Sequence, residues 1–489
     1  MSAETLAQAG AVVAALGLAA LVLGRGRPLR LAGIGTWGLG LGLFLPLLAP
    51  SASLLLLVAL GALGLAAAAG LALLFVRYPW ALAFLTLAAA PARFPVHVGG
   101  TSANLLVPLY AVIAGAMLAL VWNLARSEPL PARELGLLAW PLSLLVGWLG
   151  LSLLWSEDVR QGSITLFFFV FPFAALAVAL ARLPWSKRAL VWLYGLLAGM
   201  AALFAAVGIG QWLTRDVFWN PKVIVANAYA PFYRVNSLFW DPSIYGRFLV
   251  LAILTSLALL LFRAARDSTW EVALGALIVA LWVGLVFSFS QSSFVALGLG
   301  VILIAALAWR WRAAMAVAVV AAVMIPVGVA APQFHNVRHN LVGSSASGLN
   351  RATSGRLKLV VNGLRVAEDH PVVGVGVGGF TKAYAARRAS DHKTPTAASH
   401  NTPVTVVSET GAVGLALFAW LVVASFFVAF RGNRGFLRAS DRTALAAGIL
   451  IVAIVVHSQF YNAFFEDPLT WGLLGLAALA ARERKVEPA

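Results

Sequence analysis

Cysteine is absent from the 489 residues of the chain, and charged side chains make up only 11% of them. The absence of cysteine excludes disulfides, thiolate metal sites and thiol nucleophiles. A soluble globular chain carries about 25% charged residues, so this chain could not cover a water-facing surface. Hydrophobic residues reach 61% and the mean hydropathy is +0.91. Composition therefore excludes a soluble enzyme, a disordered protein and a secreted disulfide scaffold, and indicates a protein whose main solvent is the lipid bilayer.

Long apolar runs recur along the whole chain. A helix needs about 20 apolar residues to cross the roughly 30 Å of hydrocarbon in a bilayer. By this measure the sequence predicts an all-α polytopic integral membrane protein with about 12–14 transmembrane helices and a long, partly helical external loop. The first run, Leu6 to Leu23, has no basic segment before it and no small-residue cleavage site after it. We therefore interpret it as a membrane span and not as a signal peptide.

Positive charge exceeds negative charge by 17, with 35 Lys and Arg against 18 Asp and Glu. The basic residues are concentrated in alternate linkers between the apolar runs, whereas short intervening linkers such as 50–53 and 291–292 contain none. This alternation follows the positive-inside rule and places the basic linkers in the cytoplasm. Because topology accounts for over half of the basic residues, a nucleic-acid partner is not predicted.

The same alternation divides the chain into five segments. These are N-terminal transmembrane helices at 1–213, a first external segment at 214–243, central transmembrane helices at 244–331, a large external loop at 332–402, and C-terminal transmembrane helices with a short cytoplasmic tail at 403–489. Loops as long as the fourth segment are uncommon and usually functional. We therefore predict that the functional site lies on the external face of the membrane.

Inside the large loop, an amphipathic helix is predicted from residues 353–354 to about Glu368. Pro371 ends it, and the run Gly374-Val375-Gly376-Val377-Gly378-Gly379 follows. No strand–turn–helix pattern surrounds this glycine run, so a dinucleotide-binding motif is not supported. A close approach of the backbone to another segment, or a flexible turn, is the better interpretation.

The clearest candidate site is at the end of this loop, where His400-Asn401-Thr402-Pro403 precedes an apolar run. Pro403 suits the first turn of a helix, whereas His400 taken alone could be a solvated loop histidine. Glu409 lies within the apolar run, and an ionisable residue inside a span is a functional candidate. Nine residues of regular helix, about 13 Å, would separate Glu409 from His400. We therefore expect Glu409 to pair with an arginine or a backbone donor on a neighbouring segment.

The pattern His-Asn, nine residues, Gly-x-x-Gly is formed by His400, Asn401, Gly411 and Gly414. It resembles the signature of the O-antigen ligase and O-antigen polymerase (Wzy/WaaL) superfamily. Residues 354–376 resemble the family's Arg…Pro-x-x-Gly-x-Gly stretch, and residues 233–247 resemble its earlier external segment. One departure is Gln291-Ser292-Ser293, where many members carry Ser-Arg.

This resemblance implies a GT-C-like membrane glycosyltransferase of the Gram-negative inner membrane. Such an enzyme moves a glycan from an undecaprenyl-diphosphate carrier to an acceptor hydroxyl on the periplasmic face. The leading hypothesis is an O-antigen ligase, whose acceptor is the lipid A–core oligosaccharide of lipopolysaccharide. Its partners would be these two substrates and membrane lipid. Direct displacement at the anomeric carbon would invert its configuration.

The resemblance also implies roles for particular residues. Arg234, Arg247 and Arg356 stand at matching positions and would hold the diphosphate, because a guanidinium pairs bidentately with phosphate. Arg247 could instead extend to the membrane surface as many interfacial arginines do. Neutral histidine is a suitable general base, so His400 would take the proton of the acceptor hydroxyl. Asn401 would orient the substrate or cap a helix.

No cofactor is predicted, and the scarcity of external carboxylates argues against a magnesium site. Two members of the same superfamily, the O-antigen polymerase and the protein O-oligosaccharyltransferase, use the same donor and differ in their acceptor. A transporter for lipid-linked sugars is an alternative of another class. Transport favours ionisable residues deep in several helices and internal repeats, and neither is evident in the sequence.

Overall fold

The computed structural model describes residues 1–50, 53–98, 101–126, 134–229, 233–262, 268–309, 356–387, 399–432 and 438–486. These residues are almost entirely helical. The helices of the first part are α1 (Ala3–Leu23), α2 (Arg27–Gly42), α3 (Leu45–Leu48), α4 (Leu54–Arg77), α5 (Ala81–Ala89), α6 (Val107–Ala125), α7 (Ala139–Ser152), α8 (Val159–Thr165), α9 (Phe171–Ala181) and α10 (Lys187–Thr214). Those that follow are α11 (Pro221–Tyr229), α12 (Pro242–Leu261), α13 (Ser268–Ser288), α14 (Gln291–Trp309), α15 (Arg356–Asp369), α16 (Phe380–Arg387), α17 (Thr402–Phe430), α18 (Ala439–His457) and α19 (Pro468–Glu483).

Twelve helical stretches in the described part of the chain are long and apolar enough to cross a membrane. They confirm the predicted all-α polytopic membrane fold, and their number is at the lower end of the predicted range. The central transmembrane segment was predicted to extend to residue 331, and its residues 310–331 lie outside the described residues. The helix predicted in the large loop is α15, although the capping residues proposed for it, Thr353 and Ser354, also lie outside the described residues.

One element was not expected from the sequence. Strands β1 (Phe94–Val98) and β2 (Thr101–Leu105) form an antiparallel hairpin between α5 and α6, with Phe94 opposite Leu105. The hairpin lacks the alternating polar pattern of a half-buried strand pair, and Pro95 within β1 argues against a central strand. Its importance for the site is that Arg93 immediately precedes it.

The centre of the bundle is α9, whose residues from Phe171 to Ala181 are all buried. It packs against α1, α6 and α19, and α12 forms a second heavily buried helix beside α18. The lipid offers no partner for backbone groups, so helices that satisfy their own hydrogen bonds are the structure these apolar runs can adopt. Polar side chains cap several of them: Asp241 accepts from Ser243 N at 2.6 Å, and Asp158 accepts from Gln161 N at 3.1 Å.

The bundle has two chemically different ends. At one of them basic side chains converge on helix termini; we call it the arginine-rich end and define it by Arg30, Glu134, Arg182, Asp441, Arg482 and Arg484. The other carries the residues of the predicted site. We call it the motif-bearing end and define it by Asp241, Ser288, His400, Ser458 and Asp467. Helix α17 connects the two, because it begins after Asn401 and the carbonyl of Arg431 at its far end accepts from Arg484 at 2.7 Å.

Candidate functional site at the motif-bearing end

Asn401 is the N-cap of α17 and holds the start of this helix in place. Its side-chain oxygen accepts from Val404 N at 2.9 Å, which satisfies one of the donors left open at a helix start. Its side-chain nitrogen donates to the carbonyl of Gln459 at 2.9 Å, and Thr402 N donates to Ser458 O at 2.9 Å. Both polar atoms of the Asn401 side chain are therefore used to cap α17 and to join it to the chain after α18.

His400 is partly buried and has a left-handed backbone, with φ at 57°. This conformation is uncommon for residues other than glycine, although histidine adopts it more often than most. The turn is fixed from both sides, because the Ser399 hydroxyl accepts from Asn401 N at 3.1 Å and donates to Asn401 O at 2.7 Å. Backbone conformations of this kind are concentrated at functional sites and motivate a functional hypothesis for His400.

Gly411 breaks α17 nine residues after its start, with φ at 66° and ψ at −168°. The segment from Pro371 to Gly379 lies in the break: Val375 N donates to Ser408 O at 3.0 Å, and Ala412 N donates to Pro371 O at 2.8 Å. A Cβ on Gly411 would lie 2.1 Å from Val372 O. Only glycine can occupy this position without moving the backbone of the loop.

The glycine run beyond Pro371 is a close backbone approach and not a flexible turn. Gly374, Gly376 and Gly378 all have positive φ, and a Cβ on Gly376 would lie 2.2 Å from Ser156 Cα. At the junction of α7 and α8, Glu157 N also donates to Val375 O at 3.1 Å. The run therefore passes between the α7–α8 junction and the break in α17, which explains why glycine recurs at every second position.

Gly414 and Glu409 lie where the glycine run meets the break in α17. A Cβ on Gly414 would meet the Thr410 hydroxyl at 1.8 Å. The Glu409 carboxylate accepts from the backbone nitrogens of Gly378 and Phe380, the latter at 3.4 Å. Its partners are thus backbone donors and not an arginine, and it positions the start of α16 against α17.

Arg247 is buried in the first turns of α12, with 3% of the residue exposed. Its Nε lies 3.1 Å from Asp467 Oδ2, and Asp467 also caps α19 by accepting from Leu469 N at 3.1 Å. Arg247 Nη1 is buried and has no hydrogen-bond partner among the described residues. The interpretation of Arg247 as a side chain that extends to the membrane surface is therefore wrong. The ion pair with Asp467 therefore leaves Nη1 of Arg247 as a buried donor that no described residue accepts from.

The chain between α18 and α19, Ser458 to Asp467, joins the two halves of the site. Its first residues bond to Asn401 and Thr402, and Asn462 Oδ1 accepts from the Thr402 hydroxyl at 3.1 Å. Its last residue holds Arg247. We call it the α18–α19 loop. It therefore places the turn of His400 and the buried Arg247 on one continuous piece of structure.

A second arginine reaches this loop from the β-hairpin. Arg93 Nη2 donates to Glu466 O at 2.6 Å, and Nη1 lies 3.9 Å from the Glu466 carboxylate. The enclosed position of Tyr461 raises the pKa of its hydroxyl, which stays protonated and can donate a hydrogen bond. The charges that act on this hydroxyl are those of Asp241, Arg93, Arg247 and Glu466.

Arg93, Tyr461 and Asp467 were missed by sequence reasoning. One signal was available, because Asp467-Pro468 is a typical cap and first-turn pair at a predicted external helix start. Nothing in the sequence indicated which arginine Asp467 would meet.

Arg234 lies beside the junction of α13 and α14. Its Nε donates to Ser288 O at 3.1 Å, and its backbone exchanges two hydrogen bonds with the Asn227 side chain. Gly246, next to Arg247, packs on the same junction, since its Cβ would lie 2.7 Å from Ser293 Oγ. Arg234 therefore contacts the junction against which Gly246, the neighbour of Arg247 in sequence, also packs.

The serines of the α13–α14 junction make hydrogen bonds to other side chains of the protein. Ser292 Oγ and His457 Nε2 lie 3.0 Å apart in a buried hydrogen bond. This serine belongs to the stretch Gln291-Ser292-Ser293, where the sequence departs from the pattern it otherwise resembles, and its hydrogen bond joins α14 to α18. Arg356, the third predicted arginine, is the first residue of α15, and its side chain lies outside the described part of the structure.

Metal-binding capacity at this end is small. Among the described residues, no three His, Asp or Glu side chains gather closely enough to hold a metal ion. Of the described acids at this end, Asp241 caps α12 by accepting from Ser243 N, and Glu466 and Asp467 each face an arginine. Metal independence of the reaction stays a prediction.

A comparison with known protein families covers part of this region. A family model described as O-antigen ligase matches residues 275–419, a stretch that includes His400, Asn401, Gly411 and Gly414. The match supports membership of the Wzy/WaaL O-antigen ligase superfamily, as the sequence pattern predicted. No curated protein matches the chain.

Together with the twelve candidate spans, the family match indicates a multi-pass membrane enzyme of the ligase or polymerase type. Membership also implies lipid-linked glycan substrates and contact with membrane lipid. The particular donor and acceptor, and the residues that act on them, belong to the proposal that follows.

Proposed function

We propose that the protein is an O-antigen ligase that transfers a polymerised glycan from undecaprenyl diphosphate to a hydroxyl of the lipid A–core oligosaccharide. The observation that carries this proposal is the α18–α19 loop, which connects the strained turn at His400 to the buried Arg247–Asp467 pair. A base and a cation on one rigid support are what transfer from a diphosphate carrier requires. The reaction would take place on the periplasmic face of the inner membrane.

In this mechanism Arg247, Arg234 and Arg356 hold the diphosphate of the donor. Arg247 contributes most directly, because its buried Nη1 can donate to a phosphate oxygen while Nε stays paired with Asp467. Arg234 is held by Ser288 O, and in the proposal its positive charge also acts on the diphosphate. As the glycosidic bond breaks, negative charge grows on the leaving diphosphate, and the guanidinium groups stabilise it.

His400 would accept the proton of the acceptor hydroxyl. The acceptor oxygen then forms a bond to the anomeric carbon as the bond from that carbon to the diphosphate oxygen breaks. The proton moves to His400, and the electron pair leaves with undecaprenyl diphosphate, so the configuration at the anomeric carbon is inverted. Asn401 and Ser399 would keep His400 in place through the contacts around its backbone.

The test is reconstitution of the purified protein with an undecaprenyl-diphosphate-linked glycan. Three acceptors are offered separately: lipopolysaccharide without O-antigen, a second lipid-linked glycan, and an acceptor protein. We expect product only with lipopolysaccharide. Product with the second glycan would identify a polymerase, and product with the protein an O-oligosaccharyltransferase. Movement of the lipid-linked glycan across the membrane without any new glycosidic bond would identify a transporter.

The role of His400 is tested with the His400→Ala variant. We expect single-turnover ligation to fall by about 10²–10⁴-fold, the usual contribution of a general base, while donor binding is retained. His370→Ala is the matched control, because His370 is exposed and lies beyond the end of α15. Near-normal turnover in folded, membrane-inserted His400→Ala would remove His400 from the mechanism.

A further inference from the structure

Arg93 is a buried cation at the motif-bearing end, and the proposed mechanism gives it no role. Its side chain is 8% exposed, so it does not extend into water or among lipid headgroups. Its backbone is held on both sides. Arg93 N donates to Pro91 O at 2.9 Å. The next residue, Phe94, pairs with the buried Leu105 at the base of the β-hairpin. Arg93 therefore projects from a fixed support.

The polar contacts that the Arg93 side chain makes with described residues are both with Glu466, in the α18–α19 loop. Nη2 donates to Glu466 O at 2.6 Å, whereas Nη1 lies 3.9 Å from the carboxylate of a side chain that is 43% exposed. An exposed ion pair at this distance contributes little. The contact with the backbone oxygen is therefore the important one, and it fixes the course of the main chain at Glu466.

The residue after Glu466 is Asp467, the partner of Arg247. Asp467 Oδ1 accepts from Leu469 N at 3.1 Å, and its Oδ2 lies 3.1 Å from Arg247 Nε. Asp467 thus places one edge of the Arg247 guanidinium, which is planar and rigid. The direction in which the buried Nη1 points therefore depends on the position of Asp467, which the main chain at Glu466 determines.

The two arginines act on the same part of the α18–α19 loop. The charges of Arg93 and Arg247 both act on the Glu466 carboxyl and on the Tyr461 hydroxyl. Two guanidinium groups near one another repel. This repulsion disfavours a shift of the Arg247 guanidinium toward Arg93, and it therefore supports the orientation that Asp467 imposes.

We propose that Arg93 is a positioning residue for glycan transfer, which fixes the main chain at Glu466 and thereby holds Arg247 in the orientation that receives the diphosphate. The inference rests on the role of Arg247 in the proposed function. In this arrangement Arg93 does not contact the lipid-linked glycan. Its effect on the rate comes from preorganisation, because a displacement of about 1 Å in a group that must already be aimed can lower the rate about 10²-fold.

A double-mutant cycle tests this relation. Single-turnover transfer from the undecaprenyl-diphosphate-linked glycan is measured per folded molecule of the purified full-length protein, for Arg93→Gln, Arg247→Ala and the double variant. We expect Arg93→Gln alone to lower the rate by about 10–10²-fold. In the Arg247→Ala background the same change should lower it by less than about twofold, because effects that act through one group do not add.

Two further variants make the test specific. Arg93→Lys should recover part of the rate, because an ammonium group can still donate to Glu466 O although it lacks the planar fork. Arg126→Gln removes an exposed arginine at the end of α6 and should leave the rate unchanged. A loss in Arg126→Gln as large as that in Arg93→Gln would contradict a specific role for Arg93.

Two results of the cycle would overturn the inference alone. If Arg93→Gln lowers the rate by the same factor in both backgrounds, Arg93 acts on the lipid-linked glycan directly. If Arg93→Gln keeps the wild-type rate per folded molecule, Arg93 serves the fold alone. A full rate in Arg247→Ala would instead remove Arg247 from the mechanism, and this inference with it. An acceptor other than lipopolysaccharide would change the proposed function but not the cycle, which is then run with that acceptor.

Discussion

Two buried arginine–aspartate pairs, one at each end of the bundle, have nearly the same geometry. Arg484 Nε lies 3.0 Å from Asp441 at the arginine-rich end, and Arg247 Nε lies 3.1 Å from Asp467 at the motif-bearing end. They differ in the rest of the guanidinium. Arg484 also donates to the carbonyls of Arg431 and Ala429, both at 2.7 Å, whereas Arg247 Nη1 has no partner among the described residues.

We propose that this difference separates a structural arginine, Arg484, from a functional one, Arg247. Arg484 satisfies carbonyls at the end of α17, where helices leave acceptors unpaired, and a positive charge is favourable there. Arg482 acts in the same way on Ala181 O and Leu183 O beyond α9. A buried donor without a partner is costly. Arg484 Nε also makes no well-aligned hydrogen bond, but it lies against the Asp441 carboxylate, whereas Arg247 Nη1 has no partner among the described residues. In our proposal a ligand supplies the missing acceptor.

The largest effect that this comparison predicts is on folding, in Arg484→Ala. The change leaves Asp441 buried and unpaired, and it removes the donor that the carbonyls of Ala429 and Arg431 have at the end of α17. Removing one partner of a buried ion pair costs about 3–5 kcal/mol, so we expect a loss of that order in the free energy of unfolding. Unfolding in a denaturant titration measures it. Turnover per folded molecule should stay near that of the wild type, and a selective loss of turnover would contradict the structural role.

Arg247→Ala leaves Asp467 buried and unpaired and so also destabilises the fold, but in addition it should lower the turnover of each folded molecule. Removing one preorganised donor at a developing negative charge costs about 10²–10³-fold in turnover. Arg247→Lys should recover only part of it, because lysine keeps the charge but loses the planar fork. Single-turnover rates are compared with donor affinity, and Arg484→Ala serves as the control. If both arginine variants lost turnover only in proportion to folded protein, the distinction between the two pairs would fail.

A smaller effect is expected from alanine at Gly411, the glycine that breaks α17, and Gly432 just beyond the end of this helix provides the control. Gly432 also has positive φ but open space around it, so Gly432→Ala should cost about 1 kcal/mol through backbone strain alone. Gly411→Ala adds a contact with the Val372 backbone and should cost about 2–3 kcal/mol. Thermal unfolding of the two variants measures the difference. Equal destabilisation would mean that the loop yields, and that Gly411 is required for its backbone conformation alone.

Much of this architecture could be predicted from the sequence. The length of an apolar run decides whether it can span the bilayer, and the basic residues of a linker decide on which side it lies, so both are properties of short stretches of the chain. The helix start at Asn401 and the close packing of the glycine run are also local, since a cap or a positive φ is a property of a few neighbouring residues. The pairing of Arg247 with Asp467 is not local. It depends on how α12 and α19 pack, and nothing in the sequence around either residue indicates which residue it will contact.

The smallest effect that we predict is that of removing divalent metal. The described acids that could bind a metal at the motif-bearing end include Asp241, Glu466 and Asp467. Asp241 caps α12, Glu466 faces Arg93, and Asp467 pairs with Arg247 and caps α19. A magnesium ion would have to displace these contacts to obtain oxygen ligands. We therefore expect ligation to be unchanged by EDTA within the error of the assay, because arginines neutralise the diphosphate. Activity abolished by EDTA and restored by magnesium would contradict this prediction, because a metal ion would then neutralise part of the charge of the diphosphate.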